Sequence, residues 1–114
     1  MSARDERAVS ILIENVGRYI AREAGRNTLI TPTRATFSKD RKNATIFVTV
    51  YPEAQEGKAL EFLMRHKDLF RNELKKTTRF ARLPFIWFEI DQGERARQKF
   101  DDISRDIVIP PEEV

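Results

Sequence analysis

No cysteine occurs in the 114 residues, which excludes disulfides and thiolate-held metal. One histidine, His66, stands alone, and a single imidazole makes a poor metal site; its expected place is a partly buried one at a break in a helical stretch. Four glycines are too few and too scattered for a phosphate-cradling loop. No apolar run approaches the roughly 20 residues that span a bilayer. The opening "MSARDERAVS" mixes acids with bases and holds no apolar signal core, so no membrane or secretory destination is expected and the cytoplasm is the default. No nucleophile stands beside a base. Asp101 and Asp102 are adjacent, so on a helix they diverge by about 100° and form no catalytic pair. No enzyme and no cofactor are expected.

What remains is a chain of 40% hydrophobic and 34% charged residues, the composition of one globular domain. The net charge of +3 hides its distribution. Residues 65–82 carry seven bases against two acids, whereas residues 83–114 carry four against eight. A basic middle before an acidic end reads as a polyanion-binding surface or as a solvated helix face, in equal measure on charge alone.

Hydrophobic periodicity divides the chain. Val9, Leu12, Ile13, Val16, Ile20 and Ala24 recur at helical spacing over residues 5–24. Ser2 and Asp5 are placed for a capping box, and Gly25 for a stop. Gly17 weakens that helix by about 1 kcal/mol relative to alanine. Residues 29–37 alternate loosely, with Ala35 and Phe37 on one face. Residues 44–51 alternate strictly: Ala44, Ile46, Val48 and Val50 point one way, Thr45, Phe47, Thr49 and Tyr51 the other. Helical spacing returns over 56–80 through Leu60, Leu63, Phe70 and Leu74, but His66-Lys67-Asp68 falls where one more apolar residue is due. An interrupted helix, or two helices meeting at an angle, would explain it. "PFIWFEID" at 84–91 reads as a third strand, and 95–104 as a short last helix. The two prolines of "IVIPPEEV" bar further regular structure. Strands one and two can pair as a hairpin. The helical crossover before strand three favours a parallel, right-handed connection.

In that order the residues resemble a family, ribosome-binding factor A, built on a type II KH-like domain. The likeness begins at "SARDERAV". It is sharpest at "ATFSKDRKNATIFVTV", through Phe37, Ser38, Asp40 and Ala44. It continues through "KALEFLMRHKDLFRNEL", with Phe70, Arg71 and Leu74. It closes at "RFARLPFIWFEID", with Arg82, Leu83, Pro84, Ile86, Phe88 and Asp91. The resemblance covers roughly residues 1–100. It implies a two-layer α+β domain of order α-β-β-α(kinked)-α-β, with a three-stranded mixed sheet and helices on one face. Residues 1–104 would form the domain and 105–114 a C-terminal tail. Family members carry Ala-x-Gly at the helix interruption, where this chain has His66-Lys67-Asp68. Pro32 replaces an apolar residue of the first strand, which is therefore expected to begin late. Phe85 and Trp87 are larger than the family's usual residues.

The resemblance implies a noncatalytic factor that binds the immature small ribosomal subunit and assists late maturation of its RNA, as a monomer, without DNA or membrane partners. The alternatives are a generic KH-type reader of single-stranded RNA and a protein–protein adaptor using the sheet face. The expected contacts are Lys39, Arg41 and Lys42 in the hairpin loop, held outward by a turn that Asp40 or Asn43 anchors. They are joined by Arg71, Lys75, Lys76, Arg79 and Arg82, of which Arg71, Lys75 and Arg79 (or Arg82) would line one helix face along a phosphate backbone. The loop bases taken alone read more readily as a solvated hairpin tip. On the outward sheet face, four aromatics (Phe47, Tyr51, Phe85 and Trp87) are too many to stay bare. Either they stack on RNA bases or a partner, or the tail "DIVIPP" folds back over them; the tail is the favoured cover.

Overall fold

The computed structural model describes residues 3–80 and 82–106. The expected Ser2 cap and the tail from Ile107 onward lie outside the described residues. The elements are α1 (Ala3–Glu23), β1 (Leu29–Phe37), β2 (Asn43–Tyr51), a short 3-10 turn (Glu53–Gln55), α2 (Glu56–Thr77), β3 (Phe85–Ile90) and α3 (Gln92–Asp106). The sheet order is β1-β2-β3. β1 pairs antiparallel with β2, and β2 pairs parallel with β3, Asn43 facing Phe85 and Ile46 facing Phe88. Three helices and a mixed three-stranded sheet make the expected α+β architecture.

Strict alternation on β2 buries Ala44, Ile46, Val48 and Val50 against Leu12, Val16 and Ile20 of α1 and Leu63, Phe70 and Leu74 of α2. Phe70 anchors the layer interface, its ring 5.6 Å from Tyr19 and 6.4 Å from Phe88. α1 lies over β1, where Gly17 faces Pro32. Ile86 and Phe88 are buried while Phe85 and Trp87 face outward.

Two expectations change. α2 runs without interruption through His66-Lys67-Asp68. The gap in its apolar stripe is filled by parts of polar side chains. The His66 ring stacks on Phe62 at 4.2 Å and meets Tyr19 edge-on at 5.7 Å. Lys67 lays its stem along the domain and brings its ammonium to Trp87, as long amphipathic side chains do. β1 also begins at Leu29, ahead of Pro32, rather than late. Pro32 is accommodated because β1 is an edge strand and its register shifts between Pro32 and Arg34.

α1 and α2 cover one sheet face. α3 instead lines a cleft with the far end of the other: Gln98 and Asp101 face Leu29, Thr31, Thr49 and Tyr51 across about 300 Å³. Asp91 fixes that helix. Its amide donates to the Val48 carbonyl, and its carboxylate accepts from the Thr33 hydroxyl (2.6 Å), Arg34 Nε (3.2 Å) and the Glu94 amide (3.0 Å). One buried residue thus joins β1, β2 and the start of α3. The Thr33 and Glu94 donors hold its carboxyl below the usual aspartate range.

Candidate nucleic-acid interface

The loop between β1 and β2 is held from within. The Ser38 hydroxyl donates to Asp40 Oδ1 at 2.6 Å, which also accepts the Lys42 amide at 3.0 Å. The Asn43 amide donates back to Ser38 Oγ at 3.1 Å. These donors lower the Asp40 pKa, the Ser38 hydroxyl most. Asp40 is therefore the turn's anchor, as its side chain chemistry predicts. The left-handed backbone falls on Arg41, at φ 61°. A non-glycine residue there carries a local cost of about 1–2 kcal/mol. Arg41 offsets it by pairing with Asp5 of α1 and lying over Phe37 at 5.2 Å. Arg41 is thus turned toward α1 and tied down, while Lys39 and Lys42 stay exposed.

The loop meets the crossover at the start of β3. The Phe85 amide donates to the Lys42 carbonyl at 2.8 Å. Arg71 of α2 lies over the Phe85 ring at 4.6 Å and donates to the carbonyls of Pro84 (2.9 Å) and Leu83 (3.0 Å). Arg71 is half-buried and structural: it holds the chain entering β3.

The expected row of bases on one helix face is shorter than the spacing implied. α2 ends at Thr77, and Thr78 adopts extended backbone. Thr77 and Thr78 turn their hydroxyls back to the carbonyls of Glu73 and Leu74 and so close the last turn. Lys75 and Lys76 lie in that turn, favourable for cations at a helix C-terminus. Arg79 and Arg82 lie beyond it, in the connector to β3. All four are exposed. Among the described residues, none of Lys39, Lys42, Lys75, Lys76, Arg79 and Arg82 forms a salt bridge. Loop, helix end and connector therefore carry six exposed cations that form no salt bridge: Lys42 lies at the entry to β3 with Asp40 nearby, Lys76 lines the groove between α1 and α2 with Arg22 and Glu73, and Arg41 and Arg71 are internal supports.

Sequence reasoning singled out the aromatics of the outward face beside these cations but did not place cations over them. Three of its rings carry a cation: Arg34 over Phe47 (3.8 Å), Lys67 over Trp87 (4.8 Å) and Arg71 over Phe85. The signal was present in the alternation of β2 and β3, but the cations come from β1 and α2. Among the described residues, no helix is long and apolar enough to cross a membrane, and no three His, Asp or Glu side chains gather as metal ligands.

The family model for ribosome-binding factor A matches residues 4–104. The ribosome-binding factor A of Dictyoglomus thermophilum is 29% identical over 111 residues, spanning 90% of this chain and 92% of its own. That of Kosmotoga olearia is 33% identical over 81 residues, spanning 70% and 65%. The crystal structure of ribosome-binding factor A from Thermus thermophilus superposes with a TM-score of 0.66 at 23% identity, over 75% of this chain and 93% of that one.

Proposed function

The chain belongs to the ribosome-binding factor A family, and on that premise we propose that it binds the immature small ribosomal subunit and promotes late maturation of its RNA without catalysing a reaction. The observation that carries the reading is the set of six exposed cations free of salt bridges on the β1–β2 loop, the end of α2 and the connector to β3, on a chain of this family. Exposed and without a salt bridge, these side chains are available to neutralise phosphates. Cations spread over loop, helix end and connector suit phosphate and shape recognition of folded RNA more than the reading of a base sequence. Binding that is tighter for one RNA conformation than another shifts the subunit toward that conformation. The protein would act in the cytoplasm as a monomer, residues 1–104 forming the RNA-binding unit.

The test is sedimentation of extract and of purified components. The factor should travel with free small subunits and not with translating ribosomes. With about five phosphates neutralised, log affinity should fall with log salt at a slope of about −3.5. Lys75→Glu, Lys76→Glu and Arg79→Glu together should leave the chain folded, with a melting temperature lower by several degrees for the reversed charges at the end of α2, and should weaken subunit binding and flatten the slope. A folded triple variant with unchanged binding and slope would refute the surface.

A further inference from the structure

We propose that the outward face of β3, through Phe85 and Trp87, is a stacking platform for two unpaired nucleotides of RNA adjoining the basic cluster. The proposal rests on the RNA-binding reading above and extends it to a second chemistry, base recognition by stacking.

Phe85 is 55% exposed and Trp87 41%. They project from the same face of one strand, two residues and so about 6.6 Å apart. That is close to twice the roughly 3.4 Å rise between stacked nucleotides, so the rings offer successive platforms. Trp87 is held ready, its indole N–H donating to Asn43 Oδ1 at 2.9 Å. A ring fixed before binding loses little freedom on binding.

The cations identify the occupant. Lys67 and Arg71 belong to α2, on the opposite side of the sheet, yet they reach the outward-pointing rings of Trp87 and Phe85. Both therefore pass around the free edge of β3. A backbone of phosphates running along that edge would meet Lys67 beside Trp87 and, past the start of β3, the exposed Lys42 on the paired β2 side, whose carbonyl is bonded to Phe85. Its bases would turn inward over the rings. Lys67 also touches Asp68 at 3.4 Å, an acid turned out to solvent and readily exchanged for phosphate. Beyond Trp87, the exposed Glu89 faces Phe47 in register, and its charge repels phosphate, closing the platform after two nucleotides. A protein partner fits less well. The outward neighbours in register are Asn43 and Thr45, with Thr36 beyond, and the nearby Phe47 ring is already covered by Arg34, so docking a hydrophobic surface would meet polar groups and strip water from cations. Aromatic rings beside a cationic track are what unpaired nucleic acid binds without strong sequence preference.

Trp87 is the only tryptophan, so its fluorescence reports this site alone. Hexaadenylate, an abasic hexamer of equal charge and a blunt RNA duplex are titrated into the full chain. Hexaadenylate should quench Trp87; the abasic hexamer and the duplex should not, and the abasic strand should bind about 10-fold more weakly. Phe85→Ala should weaken hexaadenylate about 10-fold at an unchanged salt slope. Trp87→Thr should do the same, while Trp87→Phe should keep most of the affinity, which separates stacking from loss of fold. If hexaadenylate leaves Trp87 unquenched while small-subunit binding persists, the platform is refuted and the basic-cluster reading stands. If subunit binding is absent too, both fall. If Phe85→Ala loses subunit binding but not hexaadenylate, the face meets a ribosomal protein, and the proposal is overturned. Quenching that appears only after residues 107–114 are deleted would show that the tail covers the rings, and would overturn the proposal as well.

Discussion

Asp91→Ala should be among the most damaging single polar substitutions in the domain. The side chain is the N-cap of α3 through the Glu94 amide, and losing such a cap costs about 1 kcal/mol. Its other oxygen accepts from Thr33 and Arg34. Arg34 is largely exposed, so its pair adds less than about 1 kcal/mol. Thr33 keeps a weaker acceptor, the Phe47 carbonyl at 3.2 Å, so its hydroxyl is not orphaned and its loss is another 0.5–1 kcal/mol, approximately. The total is about 1.5–3 kcal/mol, or roughly 5–12 °C in melting temperature for a domain of this size. Asp91→Asn should cost less, because asparagine also caps. The pH profile should differ too. The folded carboxyl binds its proton less tightly than the unfolded one, so ionisation favours folding. That contribution is complete above an unfolded aspartate's pKa of about 3.9 and disappears as acid titrates the folded carboxyl. Asp91→Asn should flatten the acid limb of stability. Urea melts from neutral to acidic pH, with amide exchange of α3, measure both effects. A loss under about 0.5 kcal/mol with α3 amides equally protected would refute the joint at Asp91.

Gly17→Ala should stabilise the protein by up to about 1 kcal/mol, since the added methyl would sit 4.0 Å from Pro32; a lower melting temperature would show that the α1–β1 approach needs glycine. Arg71→Ala should cost about 2 kcal/mol by freeing the Leu83 and Pro84 carbonyls, whereas Lys75→Ala should stay within about 0.5 kcal/mol; equal losses in denaturant melts would contradict the structural assignment of Arg71. Tyr19→Phe should cost about 1 kcal/mol by removing the 2.5 Å hydrogen bond shared with His66 Nδ1. Burial raises the Tyr19 pKa, so a spectrophotometric titration of the wild type should find one tyrosine ionising above the usual range.

The sheet and its helices were legible because the periods are clean: β2 alternates without a fault, and α1 keeps its stripe. α2 was misread at its centre because periodicity counts residue types. His66 and Lys67 score as polar, yet the imidazole ring and the lysine stem do the packing there. Its end was misread for the opposite reason. No glycine or proline announces the stop after Thr77; two threonine hydroxyls make it, and Arg79 leaves the helix with no change in composition. Arg71 and Arg41 looked equivalent to the neighbouring bases because charge is visible in a sequence and partners are not. Their partners lie 12 and 36 residues away. The role of Asp91 was hidden in the same way, its contacts coming from a strand 58 residues earlier.

The sheet has two outer strands, and each is spoiled for pairing. β1 carries Pro32, which has no amide hydrogen, beside a register shift. β3 has Lys67 and Arg71 drawn across its rim. A second copy aligning its own strand on either side would meet a missing donor and a kink, or would have to bury two positive charges. Self-assembly by sheet extension is therefore blocked at both borders. Removing the block at one border, with Lys67→Val and Pro32→Val tested separately, should reveal which side guards the more vulnerable strand, read as concentration-dependent turbidity or fibre-dye binding.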